Sequence, residues 1–257
     1  MTAAQRRRER LDRLLVERGL APTVERAQAL LLGGRVRVGE GDAARRDRKP
    51  GELVELEIAL SLSEPPRYVS RGGEKLEAGL DAFGVDPRGR TCLDVGSSTG
   101  GFTDCLLRRG AARVYALDVG RGQLADSLRA DPRVVSMERT HAGRLHPSHS
   151  APIALPERVS LAVIDVSFIS LTRVMGGVLA QLAPEGDIVA LVKPQFELPA
   201  AHAPGGVVRD PAVRVRTVTA VREHAESLGL VARGEIESPL TGPAGNREFL
   251  LHLARRA

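Results

Sequence analysis

The chain has 257 residues, of which 42% are hydrophobic and 27% charged, enough for one full α/β domain and a small module. No apolar run approaches the ~20 residues that cross a bilayer, and nothing behind the charged N-terminus resembles a signal peptide. These features exclude a membrane partner from our expectations and favour a cytoplasmic protein. Residues 1–50 hold 13 Lys and Arg against 7 Asp and Glu, whereas the remainder holds 24 against 25. The basic N-terminal fifth therefore predicts docking on a polyanion.

This basic segment has its own pattern of elements. Arg10–Gly19 predicts a short helix with three leucines on one face and a glycine stop. Thr23 is a suitable N-cap for a second helix, which is predicted to end at Gly33-Gly34. Alternating apolar residues predict strands at Arg35–Val38 and Leu53–Ile58. A helix pair followed by small strands, with this order of Leu, Gly, Ala and Val, resembles the S-four RNA-binding domain over about residues 10–58.

The resemblance implies that the N-terminal region binds RNA. We assign residues 1–60 to this domain and residues 61–68, with their paired prolines, to a linker. The candidate RNA-contacting residues are arginines of the basic region and one beyond the linker: Arg6, Arg7, Arg8, Arg10, Arg13, Arg18, Arg26, Arg35, Arg37 and Arg71.

After the linker, apolar runs alternate with helical stretches, which indicates a parallel, doubly wound sheet. The predicted strands are Thr91–Val95, Arg113–Val119, Val134–Glu138, Leu161–Val166, Asp187–Lys193, Val231–Glu237 and Arg247–Leu253. The last two are joined by turn residues without a helix, so we expect a terminal antiparallel pair. Seven strands with this ending resemble the methyltransferase variant of the Rossmann fold. We therefore expect an α/β protein in which such a sheet occupies residues 69–257, with a small N-terminal α+β RNA-binding domain.

A glycine-rich turn follows the first of these strands, Asp94-Val-Gly-Ser-Ser-Thr-Gly-Gly-Phe-Thr103. It differs from the dinucleotide motif Gly-x-Gly-x-x-Gly, because Ser98 stands where a pyrophosphate would need a bare backbone. An acid precedes the first glycine instead, as expected where the turn holds the amino-acid part of S-adenosylmethionine. Asp118 closes the second strand, where Rossmann-type folds place a carboxylate that accepts from ribose hydroxyls.

Seven segments together resemble the TlyA family. They are Val69-Ser-Arg-Gly-Gly-Glu-Lys-Leu76, Asp94–Thr103, Asp118-Val-Gly-Arg-Gly-Gln-Leu124, Val135–Thr140, Asp165-Val-Ser-Phe-Ile-Ser170, Val192-Lys-Pro-Gln-Phe-Glu197 and Gly205-Gly-Val-Val-Arg-Asp-Pro211. Proteins of that family join an S-four domain to an FtsJ-like domain and methylate ribose 2′-hydroxyls of ribosomal RNA, and they also carry hemolysin names. Three places depart from the family pattern. Pro66-Arg67-Tyr68 replaces a tryptophan-containing linker, His141 replaces an asparagine near the adenine, and Ala203-Pro204 replaces a more basic segment.

The resemblance implies S-adenosylmethionine as cofactor, no metal, and a monomer or weak dimer. It implies a cytidine of ribosomal RNA, within ribosomal subunits, as the substrate. The cofactor-binding residues that it implies are Asp94, Gly96, Ser97, Ser98, Thr99, Gly100, Gly101, Phe102, Thr103, Asp118, Val119, His141 and Asp165.

By the same resemblance, a catalytic tetrad comprises Lys75, Asp165, Lys193 and Glu248. Strand direction supports this assignment, because Asp165 and Lys193 follow parallel strands and Glu248 begins an antiparallel one, which places all three at one sheet edge. Composition points the same way: the chain has only three lysines beside 34 arginines, and lysine, unlike arginine, can act as a neutral base. We expect Lys193 to take the hydroxyl proton, Asp165 to orient its amine, and Lys75 with Glu248 to position the ribose.

Two other classes of function remain open from the sequence. One is an RNA-binding ribosome assembly factor with weak or no catalysis, which cofactor binding would distinguish. The other is a hemolysin or cytolysin, against which the lack of a signal, a spanning segment or an apolar amphipathic face argues.

Overall fold

The computed structural model describes residues 7–32, 34–41, 44–45, 48–63, 66–199 and 203–256. The chain divides into two compact units, Met1–Pro66 and Arg67–Ala257, and the division falls inside the predicted linker. None of the helices in the described part of the chain combines the length and apolarity that a membrane crossing requires.

The small unit packs two helices with two antiparallel strand pairs. Its elements are β1 (Arg8–Arg10), α1 (Leu11–Glu17), α2 (Val24–Leu32), β2 (Val36–Val38), β3 (Leu53–Glu55) and β4 (Leu60–Leu62), with β1 paired to β3 and β2 to β4. The leucine face of α1 is buried at Leu11, Leu14 and Leu15. This buried face holds the unit together by removing apolar surface from water.

The prediction of one strand over Leu53–Ile58 is wrong in its second half. The strand ends at Glu55, and a turn leads to β4, which pairs with β2. Part of β4 therefore lies in the segment that was predicted to be the linker. The guanidinium of Arg18 donates to the backbone carbonyls of Leu56 and Ile58. Because these carbonyls bind a side chain, they are not available to continue the strand ladder.

The large unit is built on a sheet that has seven strands among the described residues, in the order β10-β11-β9-β8-β5-β6-β7. The strands are β5 (Thr91–Val95), β6 (Arg113–Leu117), β7 (Val134–Met137), β8 (Val159–Ile164), β9 (Leu182–Val192), β10 (Leu230–Glu237) and β11 (Phe249–Arg255). β5 to β9 are parallel to one another, whereas β11 is antiparallel to both β9 and β10. The predicted Rossmann-type methyltransferase fold with its terminal antiparallel pair is confirmed.

Helices cover both faces of this sheet. They are α3 (Gly72–Phe83), α4 (Gly101–Arg108), α5 (Asp126–Arg129), α6 (Met175–Gln181), α7 (Pro194–Glu197) and α8 (Pro211–Ser227). One core lies between the sheet and α6 with α8, and the other between the sheet and α3, α4 and α5. Two-sided coverage explains why the central strands are continuous apolar runs in the sequence.

The order of strands reverses between β5 and β8, which places a crevice at the carboxyl ends of these two strands. Gly96, in the turn after β5, has a φ of +87°, and a Cβ there would collide with the backbone carbonyl of Asp165 in the turn after β8. A glycine is therefore needed for the two turns to approach each other. The predicted strand Arg113–Val119 ends early, at Leu117, whose carbonyl accepts from Gly96 and Ser97.

Candidate active site

A cavity of about 650 Å³ opens at this crevice. Its wall comes from the start of α3, the turn after β5 and the loops that follow β8 and β9, together with the segment before β11. A second cavity of about 340 Å³ adjoins it beside the loops after β6 and β7. The two cavities share five lining residues, Gly96, Ser98, Asp165, Ser167 and Phe168. Together they form an elongated cleft with room for two groups side by side.

The predicted cofactor residues divide into three sets by position. Gly96, Ser97, Ser98, Thr99, Gly101, Phe102 and Asp165 line the larger cavity. Asp118, Val119 and His141 line the smaller one. Asp94, Gly100 and Thr103 line neither. These three residues therefore support the glycine turn from inside the protein and do not form the surface that faces the cleft.

Asp94 is fully buried at the end of β5. The hydroxyl of Thr103 donates to its Oδ2 over 2.6 Å, while Oδ1 has no hydrogen-bond partner among the described residues. Burial raises the pKa of this carboxyl to about 7, and the nearby carboxylates of Asp165 and Asp118 act in the same direction. The turn therefore encloses an acceptor that is not satisfied by the protein that surrounds it.

Asp118 joins the two loops that frame the smaller cavity. Its carboxylate accepts from the backbone N–H of Ser98 over 2.8 Å and from that of Gly120 over 2.7 Å. His141 lies on the opposite side of this cavity, where its Nδ1 accepts from the N–H of Gly143 and caps a short 3₁₀ helix. The predicted carboxylate thus faces the cavity and also holds the glycine turn in place.

The four residues of the predicted tetrad all line the larger cavity. They form two ion pairs, since Nζ of Lys75 lies 2.5 Å from Oε2 of Glu248 and Nζ of Lys193 lies 2.5 Å from Oδ1 of Asp165. Lys193 also donates to Oγ of Ser167 over 3.0 Å. Side chains separated by up to 173 positions in the sequence thereby line the same cavity. The arrangement places two amines beside a space that can admit a hydroxyl substrate.

Two phenylalanines at this cavity were not predicted as site residues. Phe168 has a φ of +65° and a side chain that is 91% exposed, and its ring centroid lies 4.9 Å from that of Phe196. A left-handed backbone is costly for a bulky residue and is maintained at functional sites. Only 3% of the chain is aromatic, and each of these two phenylalanines lies three residues after a predicted catalytic residue. This spacing was the signal in the sequence that could have identified them as site residues.

The described arginines predicted to bind RNA are of two kinds. Arg10 pairs with Asp12 and lowers the pKa of that carboxyl to about 2, while Arg18, Arg35 and Arg37 donate to backbone carbonyls. Arg7, Arg8, Arg13, Arg26 and Arg71 are exposed, and their side chains form no hydrogen bond or ion pair with another described residue. Arg6 lies outside the described residues. The five exposed arginines without such contacts are free to bind phosphate groups.

Metal binding was not predicted, and no cluster of three or more His, Cys, Asp or Glu side chains in the described ranges could hold a metal ion. Cys92 and Cys105 are free thiols buried beside α3 and α4.

Comparison with known proteins agrees with both units. The FtsJ-like methyltransferase family matches residues 68–255, and the S4 (S-four) domain matches residues 9–40. The 16S/23S rRNA (cytidine-2′-O)-methyltransferase TlyA of Mycobacterium tuberculosis is 48% identical over 96% of this chain and 90% of the relative. The chain belongs to the TlyA family of FtsJ-like methyltransferases.

Other members of the TlyA family carry different names. A protein of Brachyspira hyodysenteriae named hemolysin A is 36% identical over 95% of this chain and 98% of its own. A solved structure from Streptococcus thermophilus, provisionally named a hemolysin, has a TM-score of 0.72 and 40% identity, over 97% of this chain and 89% of that one. The predicted family and the methyltransferase class of the chain are confirmed.

Proposed function

We propose that this protein transfers a methyl group from S-adenosylmethionine to the ribose 2′-hydroxyl of a cytidine in ribosomal RNA, in the cytoplasm and on ribosomal subunits. The observation that carries the proposal is the cavity in which two lysine–carboxylate pairs lie beside the glycine turn. The TlyA relative from M. tuberculosis is named for this reaction. We propose a monomer or weak dimer as the working form.

The residues of the cleft suit this cofactor. Asp94 lies beneath the glycine turn and lines neither cavity, so its unsatisfied Oδ1 reaches a cationic amino group in the cleft only through a bound water molecule. Asp118, half-exposed in the smaller cavity, retains lone pairs for ribose hydroxyls after its two backbone contacts. When bound, S-adenosylmethionine supplies a methyl group on a positively charged sulfur, which leaves as a neutral thioether.

The chain's own residues must align the hydroxyl and accept its proton. A ribose hydroxyl is a weak nucleophile, and in-line displacement requires close alignment of the reacting atoms. In the proposed step Lys193 acts as a neutral amine that Asp165 and Ser167 orient, and the ribose oxygen gains the methyl group while its proton passes to the lone pair of Nζ. Lys75 and Glu248 hold the ribose. General base catalysis is typically worth about 10²–10⁴-fold in rate.

Mapping of ribose methylation tests the reaction. Ribosomal subunits from cells that lack the protein are incubated with the purified chain and S-adenosylmethionine, and we expect new 2′-O-methylcytidine in their RNA. Cofactor binding without any methyl incorporation would instead support an assembly factor. Release of haemoglobin from erythrocytes by the purified chain would support the hemolysin alternative.

The cofactor site has a separate test. Asp118→Ala should weaken S-adenosylmethionine binding in calorimetry, because it removes the acceptor for the ribose. Asp126→Ala is a matched control, since Asp126 is a fully exposed carboxylate at the start of α5 that lines neither cavity. Equal affinity of the two variants would remove Asp118 from the site.

The RNA-binding role of the small unit is tested with its free arginines. Arg13→Ala combined with Arg26→Ala should weaken RNA binding and reduce the salt slope by about 0.7–0.9 for each lost phosphate contact. Arg88→Ala combined with Arg233→Ala removes the same charge from exposed positions of the large unit, where neither side chain pairs with a described residue. If both double variants lose affinity alike, only total charge matters and the small unit has no special role.

A further inference from the structure

Glu197 joins the two loops that carry the proposed base and its carboxylate partner. It is the last residue of α7, four positions after Lys193 in the loop that follows β9. Its Oε1 accepts from the backbone N–H of Leu171 over 2.9 Å, and its Oε2 accepts from the hydroxyl of Ser170 over 2.5 Å. Both partners lie in the loop that follows β8, which carries Asp165. One carboxylate thus connects loops from adjacent strands.

The connected segment contains one of the two non-glycine residues with a positive φ among the described residues that line the cleft; the other is Ser98. Phe168, with its φ of +65°, lies between Asp165 and Ser170. On one side of Phe168 the segment is held by the contacts of Lys193 with Asp165 and Ser167, and on the other side by Glu197. A residue in this conformation persists only where its surroundings determine it, and the two anchors supply that constraint.

The ionised carboxylate of Glu197 costs free energy, because it is partly removed from water. Glu197 is half-buried, and desolvation raises the pKa of its carboxyl, although the hydrogen bonds from Leu171 and Ser170 oppose the rise. No described Lys or Arg forms an ion pair with it. His224 also lowers this pKa, but less than the two hydrogen bonds do. A partly buried carboxylate without a Lys or Arg partner stabilises the fold poorly, so its use lies in the geometry that it sets.

We propose that Glu197 is a positioning residue, which anchors the segment from Asp165 to Ser170 and thereby sets Asp165 against Lys193. The proposal rests on the proposed methyl transfer, in which that pair accepts the proton. Glu197 lines neither cavity of the cleft, so it acts through the loop rather than on the substrate.

The test compares two carboxylates that lie towards opposite edges of the sheet. Asp187, in the middle of β9, is also half-buried and contacts Arg90 over 2.7 Å and His252 over 2.9 Å, at the edge opposite the cleft. Glu197→Ala and Asp187→Ala should both lower the melting temperature. Only Glu197→Ala should slow single-turnover methyl transfer at saturating RNA and cofactor, by about 10- to 100-fold, since a misplacement of ~1 Å can cost ~100-fold. The affinities for cofactor and RNA should stay near those of the unmodified protein.

Glu197→Gln provides rescue by a conservative change. Its amide oxygen can still accept from Leu171, and its amide nitrogen can donate to Ser170, so we expect most of the rate to return. A normal rate in Glu197→Ala, or equal slowing in Asp187→Ala, would overturn the proposal.

Hydrogen exchange separates this proposal from the proposed function. The amide of Leu171 should exchange faster in Glu197→Ala than in Asp187→Ala, whether or not RNA is methylated. If the unmodified protein transfers no methyl group, the proposed function fails while this measurement still reports on the anchor. Unchanged exchange in an otherwise active protein would refute the anchor alone.

Discussion

The two lysine–carboxylate pairs face the same cavity but differ in burial and alignment. Lys75 donates a hydrogen bond to Glu248, and their side chains are 9% and 1% exposed. The side chains of Lys193 and Asp165 are 12% and 23% exposed. Oδ1 of Asp165 accepts no aligned hydrogen bond from a described residue, although Nζ of Lys193 lies at the same 2.5 Å distance. We call the more exposed pair of Lys193 and Asp165 open and the buried pair of Lys75 and Glu248 closed.

This difference separates a structural task from a chemical one. A buried, aligned ion pair is costly to break, because removal of one partner leaves an uncompensated charge in a medium of low dielectric. A general base must lie within hydrogen-bond reach of its substrate and later release the proton that it accepts. The open pair of Lys193 suits proton transfer, and the closed pair of Lys75 suits a fixed part of the cavity wall against which the ribose is held.

Removing the carboxylate of each pair should affect stability unequally. Glu248→Gln leaves Lys75 buried without a counter-charge and should lower the free energy of unfolding by about 3–5 kcal/mol. Asp165→Asn should lower it much less, because Lys193 keeps its contact with Ser167 and reaches water. Urea unfolding of both variants measures the difference. Similar losses would show that the two pairs are energetically alike.

Arginine substitution should affect the rate unequally. Lys193→Arg keeps the charge but cannot exist as a neutral amine, so the single-turnover rate should fall by roughly 10²-fold or more while cofactor and RNA affinities change little. Lys75→Arg preserves a cation for Glu248 and should have a smaller effect. Lys49→Arg, in the small unit, is the control and should be neutral. Near-normal turnover by Lys193→Arg would make Lys193 an electrostatic positioner.

Asp94 provides a third case for this comparison. Its carboxyl is as buried as that of Glu248 but has no cationic partner in the described part of the chain. Its pKa of about 7 lies above its usual value of 3.8, so the folded state binds more protons than the unfolded state between about pH 4 and 7. Its contribution to stability is therefore present at low pH and is lost as the pH rises through 7. Asp94→Asn should remove this loss, which unfolding at pH 5 and pH 8 without cofactor would show. The prediction fails if both proteins change equally between these pH values.

Much of the large unit could be predicted from the sequence. Its strands are long apolar runs with turn residues at their ends, and parallel strands bring their carboxyl ends to one edge by necessity. Asp165 and Lys193 could therefore be placed together without a structure. The small unit was harder, because β4 has only three residues and the carbonyls that end β3 are bound by a distant arginine.

The sequence by itself predicted the sheet and placed Asp165, Lys193 and Glu248 at one edge of it, because these follow from local pattern and strand direction, while the resemblance of seven segments gave the family and added Lys75. Only the tertiary structure decided which lysine is closed by its partner, since alignment and burial depend on residues such as Ser167 and Glu248 that are remote in the chain. Tertiary structure likewise placed Asp94 beneath the glycine turn rather than at the surface of the cleft. It also separated the arginines that contact other described residues from those whose side chains do not. Sequence pattern indicates which groups meet, but packing sets the distance, angle and solvent access on which their chemistry depends.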